Sequence, residues 1–253
     1  MKNLIGNMRR TIQEYAMISE GDRVAVGLSG GKDSMALLYL LKRFQQFSPF
    51  SYHLEAITID PGFENFDTEA AKTFCKMLEV PYTIVPSNIA HIVFDVREEK
   101  NPCALCANMR RGFLAETMRQ KNLNILALGH HQDDALSTFM MNMLYAGKLN
   151  TLEYKSHLSR TDVTVVRPFL NAKESDIIRV VTHEQIPVVK SPCPMDRNTN
   201  RETMTQLLSQ INRDIPHSRT NMVTAMRNEA QCNLFKNKIV SSKNQKNPLC
   251  KGD

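Results

Sequence analysis

The sequence predicts an α/β fold, a mostly parallel sheet with helices on its faces. Three observations carry this. Short β-branched runs alternate with amphipathic segments of helical period along most of the chain. The first run, Val24-Ala25-Val26, passes into an amphipathic segment through the glycine-rich loop Ser29-Gly30-Gly31-Lys32-Asp33-Ser34. Polar clusters stand at the ends of several runs, where ligands bind in sheets of this class.

Residues Met1–Ile18 alternate charged and apolar positions and read as a surface helix ahead of the sheet. Gly21-Asp22 turns into the first strand, Val24–Val26, which is buried and β-branched. After the loop, Met35, Leu37, Leu38, Leu40 and Leu41 form the apolar face of a helix. His53–Asp60 is the second strand and ends in the turn Asp60-Pro61-Gly62. Thr68–Leu78 is helical and Tyr82–Val85 is a short third strand. This β-α-β-α-β order calls for right-handed crossovers, so Ser29, Asp60 and Ser87 are expected on one rim. Ile89–Asn101 is an irregular excursion, and Pro102 opens a helix over Cys103–Gln120. Ile125–Gly129 is a fourth strand, followed by His130-His131-Gln132-Asp133-Asp134 and an apolar helix, Ala135–Tyr145, that stops at Gly147. Val163–Val166 is a fifth strand, closed by Arg167-Pro168. Glu174–Gln185 is helical, Val188-Val189 is a final short strand, and Ser191–Asn200 is a turn-rich loop around Cys193. Arg201–Asn212 and Ser218–Ala230 are the last helices. The expected organisation is one domain over residues 1–235, with its first helix in 1–20 and its last helices in 201–230. Residues 236–253 are Lys/Asn-rich without an apolar period and read as a basic mobile tail.

At 253 residues and 42% hydrophobic content, the chain can bury a substantial core. A formal charge of +6 suits a polyanionic partner. Tryptophan is absent and aromatics are few, so base-stacking platforms are not advertised. No run approaches the ~18 apolar residues of a membrane span. The N-terminal stretch lacks the unbroken apolar core of a signal peptide. A soluble, cytoplasmic protein is expected, with no membrane contact. Its six cysteines are then reduced, and close pairs among them point to metal or redox chemistry.

The loop's spacing narrows its type. A Walker A loop needs Gly five residues before its Gly-Lys and Ser or Thr after the Lys. Val26 stands where that Gly belongs, and Asp33 follows Lys32. Glycines allow close approach to an anion, and free N–H groups at the helix start favour negative charge. A carboxylate at the mouth, Asp33, can share a magnesium ion with bound phosphates.

Two further stretches carry chemistry. Pro102-Cys103-Ala104-Leu105-Cys106 is a C-x-x-C, whose sulfurs can bind one metal centre. Cys193 stands between prolines in Ser191-Pro192-Cys193-Pro194. Three thiolates can hold a [4Fe-4S] cluster through three irons; zinc would want a fourth ligand, which His130 or His131 could supply. Gly129–Asp134, GHHQDD, lies at a strand end on the loop's rim. Its vicinal carboxylates, Asp133 and Asp134, can bind magnesium, position the loop or assist proton transfer. One of them is expected to cap the helix and the other to face the site.

SGGKDS resembles the PP-loop, S-G-G-x-D-S, of ATP pyrophosphatases, which cleave ATP between the α and β phosphates. With CALCANMRRG, LALGHHQDDALSTFMMNMLYAGKL, RPF and SPCP in order, the chain from Arg23 to Ala230 resembles the tRNA 2-thiocytidine synthetase family. The resemblance implies an adenine-nucleotide hydrolase-like sheet, ATP as cofactor and a homodimer. It implies a [4Fe-4S] cluster on Cys103, Cys106 and Cys193. One departure is that Met195 and Asp196, not a second cysteine, follow Cys193-Pro194. The implied reaction adenylates the C2 oxygen of a tRNA cytosine, at position 32 by the family pattern, and replaces it with sulfur. The donor is sulfide or a persulfide carrier protein. Leu28, Ser29, Gly30, Gly31, Lys32, Asp33 and Ser34 would cradle the phosphates. The Ile57–Asp60 strand end, at Ile59 and Asp60, would meet adenine mainly through backbone, with Gly129 and His130 beside the nucleotide. Lys32, Asp33, Asp133, Asp134 and Arg110 would serve the chemistry. Arg110 and Arg111 are also placed for phosphate or tRNA contact, and Arg197 and Arg201 less directly so. The competing readings are another PP-loop tRNA-modifying enzyme (2-thiouridine formation or a lysidine synthetase) and a zinc-containing RNA-binding protein with a relict loop.

Overall fold

The computed structural model describes residues 1–97, 102–159, 161–195 and 200–228. The chain forms two compact units. The first comprises residues 1–131 and 153–196, and the second comprises 132–152 and 197–253. The expected tail from 236 onward and Cys232 and Cys250 lie outside the described residues, as does Arg197.

The first unit is built on one six-stranded sheet. Its strands are β1 (Arg23–Gly27), β2 (His53–Asp60), β3 (Tyr82–Pro86), β4 (Ile125–Ala127), β5 (Lys155–Leu158) and β6 (Val163–Val166). They lie in the order β3-β2-β1-β4-β6-β5. All neighbours are parallel except β5, which pairs antiparallel with β6 at the edge. From β1 the chain winds outward to β2 and β3, then returns to the other side of β1 with β4. The sheet's switch point therefore lies between β1 and β4, and their carboxyl ends open the crevice where such sheets bind ligands.

Each strand sends alternate side chains to opposite faces. Val24 and Val26 enter one core while Ala25 enters the other; Ile125 and Ala127 oppose Leu126 in the same way. One face is covered by α1 (Lys2–Glu14), α2 (Lys32–Gln45), α3 (Glu69–Met77) and α6 (Glu174–His183). The other is covered by a π-helical turn, His91–Val96, and by α4 (Pro102–Gln120). Leu4, Met8 and Ile12 of α1 recur at helical spacing and are all buried. Cys75, on α3, lies in the first of these cores, where burial pushes its thiol up to about 11. It is expected to stay unlabelled by a maleimide until the protein is unfolded; ready labelling of the native chain would remove it from the core.

Two sequence expectations are corrected here. Val188-Val189 is not a strand. Pro187 and Pro192 bracket it and remove ladder donors, and the Val189 N–H instead donates to the Gly30 carbonyl at 2.9 Å. The sheet gains its remaining strand instead from β5, Lys155–Leu158. Within Ile89–Asn101, read as irregular, six residues wind as the π-helical turn.

The second unit contains α5 (Gln132–Ala146), α7 (Asn200–Asp214) and α8 (Ser218–Arg227). Leu136 and Met140 of α5, Met204 and Leu208 of α7, and Val223 of α8 form its core. Among the described residues, no helix is long and apolar enough to cross a membrane.

Candidate functional site

The glycine-rich loop leaves β1 at the switch point and is folded by its own serines. The Ser29 N–H donates to Ser34 Oγ at 3.2 Å, and Ser34 Oγ donates to the Gly31 carbonyl at 3.0 Å. Leu28 is anchored from below. Its N–H donates to the Ile57 carbonyl, and its carbonyl accepts the Thr58 hydroxyl at 2.7 Å. Gly30 has φ +80°, and a Cβ there would stand 3.1 Å from Val189 Cβ. Ser29 is exposed at the loop's outer turn, while Ser34 is buried in the first turn of α2. α2 therefore presents its N-terminal N–H groups at the crevice, the geometry that favours phosphate.

Lys32 reaches from this turn to two carboxylates, Asp33 at 2.9 Å and Glu174 of α6 at 2.8 Å. Burial works against the Lys32 charge, but the hydrogen bonds to Glu174 and Asp33 outweigh it and raise its proton affinity. Asp33 also lies 3.7 Å from Nε2 of buried His131. The end of β4 presses on the same turn. A Cβ on Gly129 would stand 2.8 Å from the Asp33 carbonyl carbon and 3.0 Å from the Ser34 nitrogen. Only glycine lets these backbones approach so closely. Gly129→Ala is expected to cost about 1–3 kcal/mol, as overpacking does, and to weaken ATP binding by displacing the loop. A thermal melt and a calorimetric titration check this; an unchanged Tm with unchanged ATP affinity would refute the close contact.

The far wall of the crevice is the end of β2. The Ile57 carbonyl points toward β1, and the Asp60 carbonyl accepts the N–H and hydroxyl of Ser87 on the β3 side. Ile59, two residues beyond Ile57, turns its N–H and carbonyl the β1 way. Pairing with β1 has ended by then, at Gly27–Ile57. Asp60 Oδ1 accepts the Gly62 N–H at 2.8 Å and closes the turn. Ser29, Asp60 and Ser87 do share one rim.

The cysteines lie on the same unit. Cys103 and Cys106 stand one turn apart at the start of α4, whose N-terminus favours thiolates. Cys106 packs against the core under α4. Cys193 is half-buried, and its N–H donates to Ser191 Oγ at 3.3 Å. Burial raises the Cys103 proton affinity most; Cys193 and then Cys106 raise it further, while Arg110 lowers it. The three thiols are thus electrostatic neighbours with a guanidinium beside them. Among the described residues, no three His, Cys, Asp or Glu side chains converge in metal-holding geometry. Thiols are soft ligands of the kind that both iron–sulfur clusters and zinc take. His130 adjoins His131 just after β4.

In the second unit, Asp133 and Asp134 open α5. Each holds an arginine: Asp133 binds Arg219 of α8, and Asp134 binds Arg201 of α7 at 3.1 Å. Sequence reasoning missed two groups. Glu174, which binds Lys32, carries no motif. Val189 looks like strand filler, and only its hydrogen bond shows it bracing the loop.

A PP-loop domain model matches residues 4–211. The tRNA-cytidine(32) 2-sulfurtransferase of Syntrophotalea carbinolica is 34% identical over 231 residues, covering 90% of this chain and 88% of that protein. The protein of the same name from Tolumonas auensis is 34% identical, covering 96% of this chain and 81% of its own length. Among solved structures, the U34-tRNA thiolase from Methanococcus maripaludis with its [4Fe-4S] cluster has the same fold. It superposes with a TM-score of 0.75 at 24% identity, covering 94% of this chain and 80% of that one. With the loop, the switch-point crevice and a family match over most of its length, the chain belongs to the PP-loop family, in the branch of the tRNA-cytidine(32) 2-sulfurtransferases.

Proposed function

We propose that the protein is an ATP-dependent tRNA thiolase that converts a tRNA cytosine, at position 32, to 2-thiocytidine. One observation carries this reading: a phosphate-type loop and three cysteines share one unit, with Val189 hydrogen-bonded to that loop four residues before Cys193. The curated relatives' names add to it, and neither a lysidine synthetase nor a relict RNA-binding domain is favoured by these likenesses.

The chemistry balances in two steps. The C2 oxygen attacks the α-phosphorus of ATP, and pyrophosphate leaves. Sulfide then adds at C2, and AMP departs carrying the oxygen. In the first step, Gly30, Gly31 and the N–H groups opening α2 hold the phosphates, and Lys32 offsets the charge that develops on pyrophosphate. Asp33 would hold a magnesium ion, which supplies a Lewis acid to the phosphate oxygens. Ile59 offers adenine a backbone donor and acceptor, and Gly129 and His130 close the nucleotide from the β4 side. In the second step, Cys103, Cys106 and Cys193 would hold a [4Fe-4S] cluster, whose remaining iron supplies a place to bind sulfide. Arg110 stands beside Cys103, where its charge favours a thiolate and an incoming anion. The target base must leave its stack to be reached, so a tRNA loop suits the reaction better than a duplex. The sulfur donor is sulfide or a persulfide carrier protein. The setting is the cytoplasm, where tRNA is found and thiols stay reduced, and the assembly is a homodimer.

The test is nucleoside mass spectrometry after anaerobic incubation with tRNA, ATP, magnesium and sulfide. The product is expected to be 2-thiocytidine, with one AMP and one pyrophosphate per thiolation. Iron and acid-labile sulfide are expected in the purified protein. Zinc alone, or 2-thiouridine or lysidine as product, would overturn the reading.

A further inference from the structure

Three arginines stand at the carboxyl rim of the first unit without an ion-pair partner among the described residues. Arg110 and Arg111 follow one another on α4, about 100° apart around the helix, so they face different neighbours. Arg110 acts on the Cys103 thiol. Arg111 acts on Arg167, the residue that closes β6. Topology brings the two together: α4 begins at the carboxyl rim and packs on the face that includes Leu126 of β4 and Val165 of β6.

This pair differs from four arginines that carry an ion pair. Arg119, Arg179, Arg201 and Arg219 each bind a carboxylate. Arg167 donates from Nη1 to the Glu153 backbone carbonyl at 2.7 Å. Its Nε is shielded from solvent and makes no hydrogen bond, and the same is true of Arg110 Nε. Arg111 is exposed and is steadied within its own helix, by the Ala107 carbonyl and by Asn108 Oδ1. Burial lowers the proton affinity of Arg167; Glu153 draws it back up, and Arg111 lowers it again. Two guanidinium groups are therefore held near each other, one of them largely out of water. An anion between them would relieve the repulsion and satisfy the idle donor. The planar fork of a guanidinium matches phosphate oxygens.

We propose that Arg167 and Arg111 form a binding site for one phosphate group, supplied by the tRNA backbone beside the target base. The inference rests on the tRNA thiolase reading and deepens it. Such a contact sets the register of the RNA on the rim without reading its sequence. It places the backbone next to the thiols, whereas the nucleotide's own phosphates are served by the loop after β1.

The test uses anaerobically purified full-length protein and the variants Arg111→Gln, Arg167→Gln and Arg167→Lys. Affinities for unmodified tRNA, ATP and inorganic pyrophosphate are measured across a salt series. Each Gln variant is expected to lose about tenfold in tRNA affinity and to reduce the slope of log affinity against log salt by about one. ATP and pyrophosphate binding should stay at the wild-type level, and Arg167→Lys should recover part of the loss. Arg167→Gln also removes the bond to the Glu153 carbonyl. If it fails to fold, Arg111→Gln, at an exposed position, decides alone. A loss of pyrophosphate affinity with tRNA affinity intact would assign the site to the nucleotide and overturn the RNA source. Wild-type tRNA affinity and slope in the variants would overturn the site while leaving the thiolase reading in place. Failure of the wild-type protein to bind tRNA would remove both.

Discussion

Cys193→Ala is expected to abolish iron–sulfur absorbance and tRNA thiolation together while leaving ATP affinity within about twofold of wild type, because the loop and the thiols are separate sets of contacts. Cys103→Ala and Cys106→Ala should behave alike. The loop is held by hydrogen bonds of Ser34, Leu28 and Thr58, and no cysteine takes part in them. The link between the two regions is the backbone bond from Val189 to Gly30, and truncating Cys193 leaves it in place. Cys193 carries little of the fold, since Pro192 and Pro194 fix its backbone and its side chain is only half-buried. The measurements are the visible spectrum of anaerobic protein, nucleoside mass spectrometry and ATP titration. A Cys193→Ala protein with a full cluster spectrum and wild-type thiolation would falsify the three-cysteine assignment and reopen the zinc reading.

Much of the site was legible because its parts are local. β2 occupies His53–Asp60 in both sequence and structure, since its apolar run ends sharply at Pro61 and Gly62. The loop is a contiguous motif, and its strand-to-helix context follows from the residues on either side. What escaped was tertiary. Lys155–Leu158 alternates exposed and half-buried residues, with no apolar stripe to mark it, and becomes a strand only because the edge of β6 lies open beside it. Val188-Val189 has strand composition, but the prolines around it deny it a ladder. The grouping of α5 with α7 and α8 rests on Leu136, Met140, Met204, Leu208 and Val223, whose pattern says that each helix buries a face but not against which partner. Arg167 was visible only as the first residue of a motif. Its interest comes from burial and from Arg111, neither of which a linear sequence displays.

Asp33→Asn is expected to reduce pyrophosphate release at least about 100-fold, the scale on which a charged group aimed at a reacting phosphate acts. The fold should survive. The carboxylate's partner Lys32 stands about as exposed as Asp33 itself, at 30% and 29%, and surface ion pairs of this kind contribute little. Lys32 also keeps its second carboxylate, Glu174, at 2.8 Å. Asparagine keeps the size of the side chain, and the close approach at Gly129 is to the Asp33 backbone, which the substitution leaves in place. What it removes is the negative charge that, on the proposed reading, would hold magnesium against the phosphates, so the loss should appear in turnover and in the magnesium dependence of ATP binding, with Tm nearly unchanged. Glu174→Gln makes the contrasting variant. It also takes a carboxylate from Lys32, but from α6 and away from the loop's first turn, so its effect on pyrophosphate release should be far smaller. Equal losses in the two variants would mean that Asp33 acts only by holding Lys32, and the magnesium role would be withdrawn.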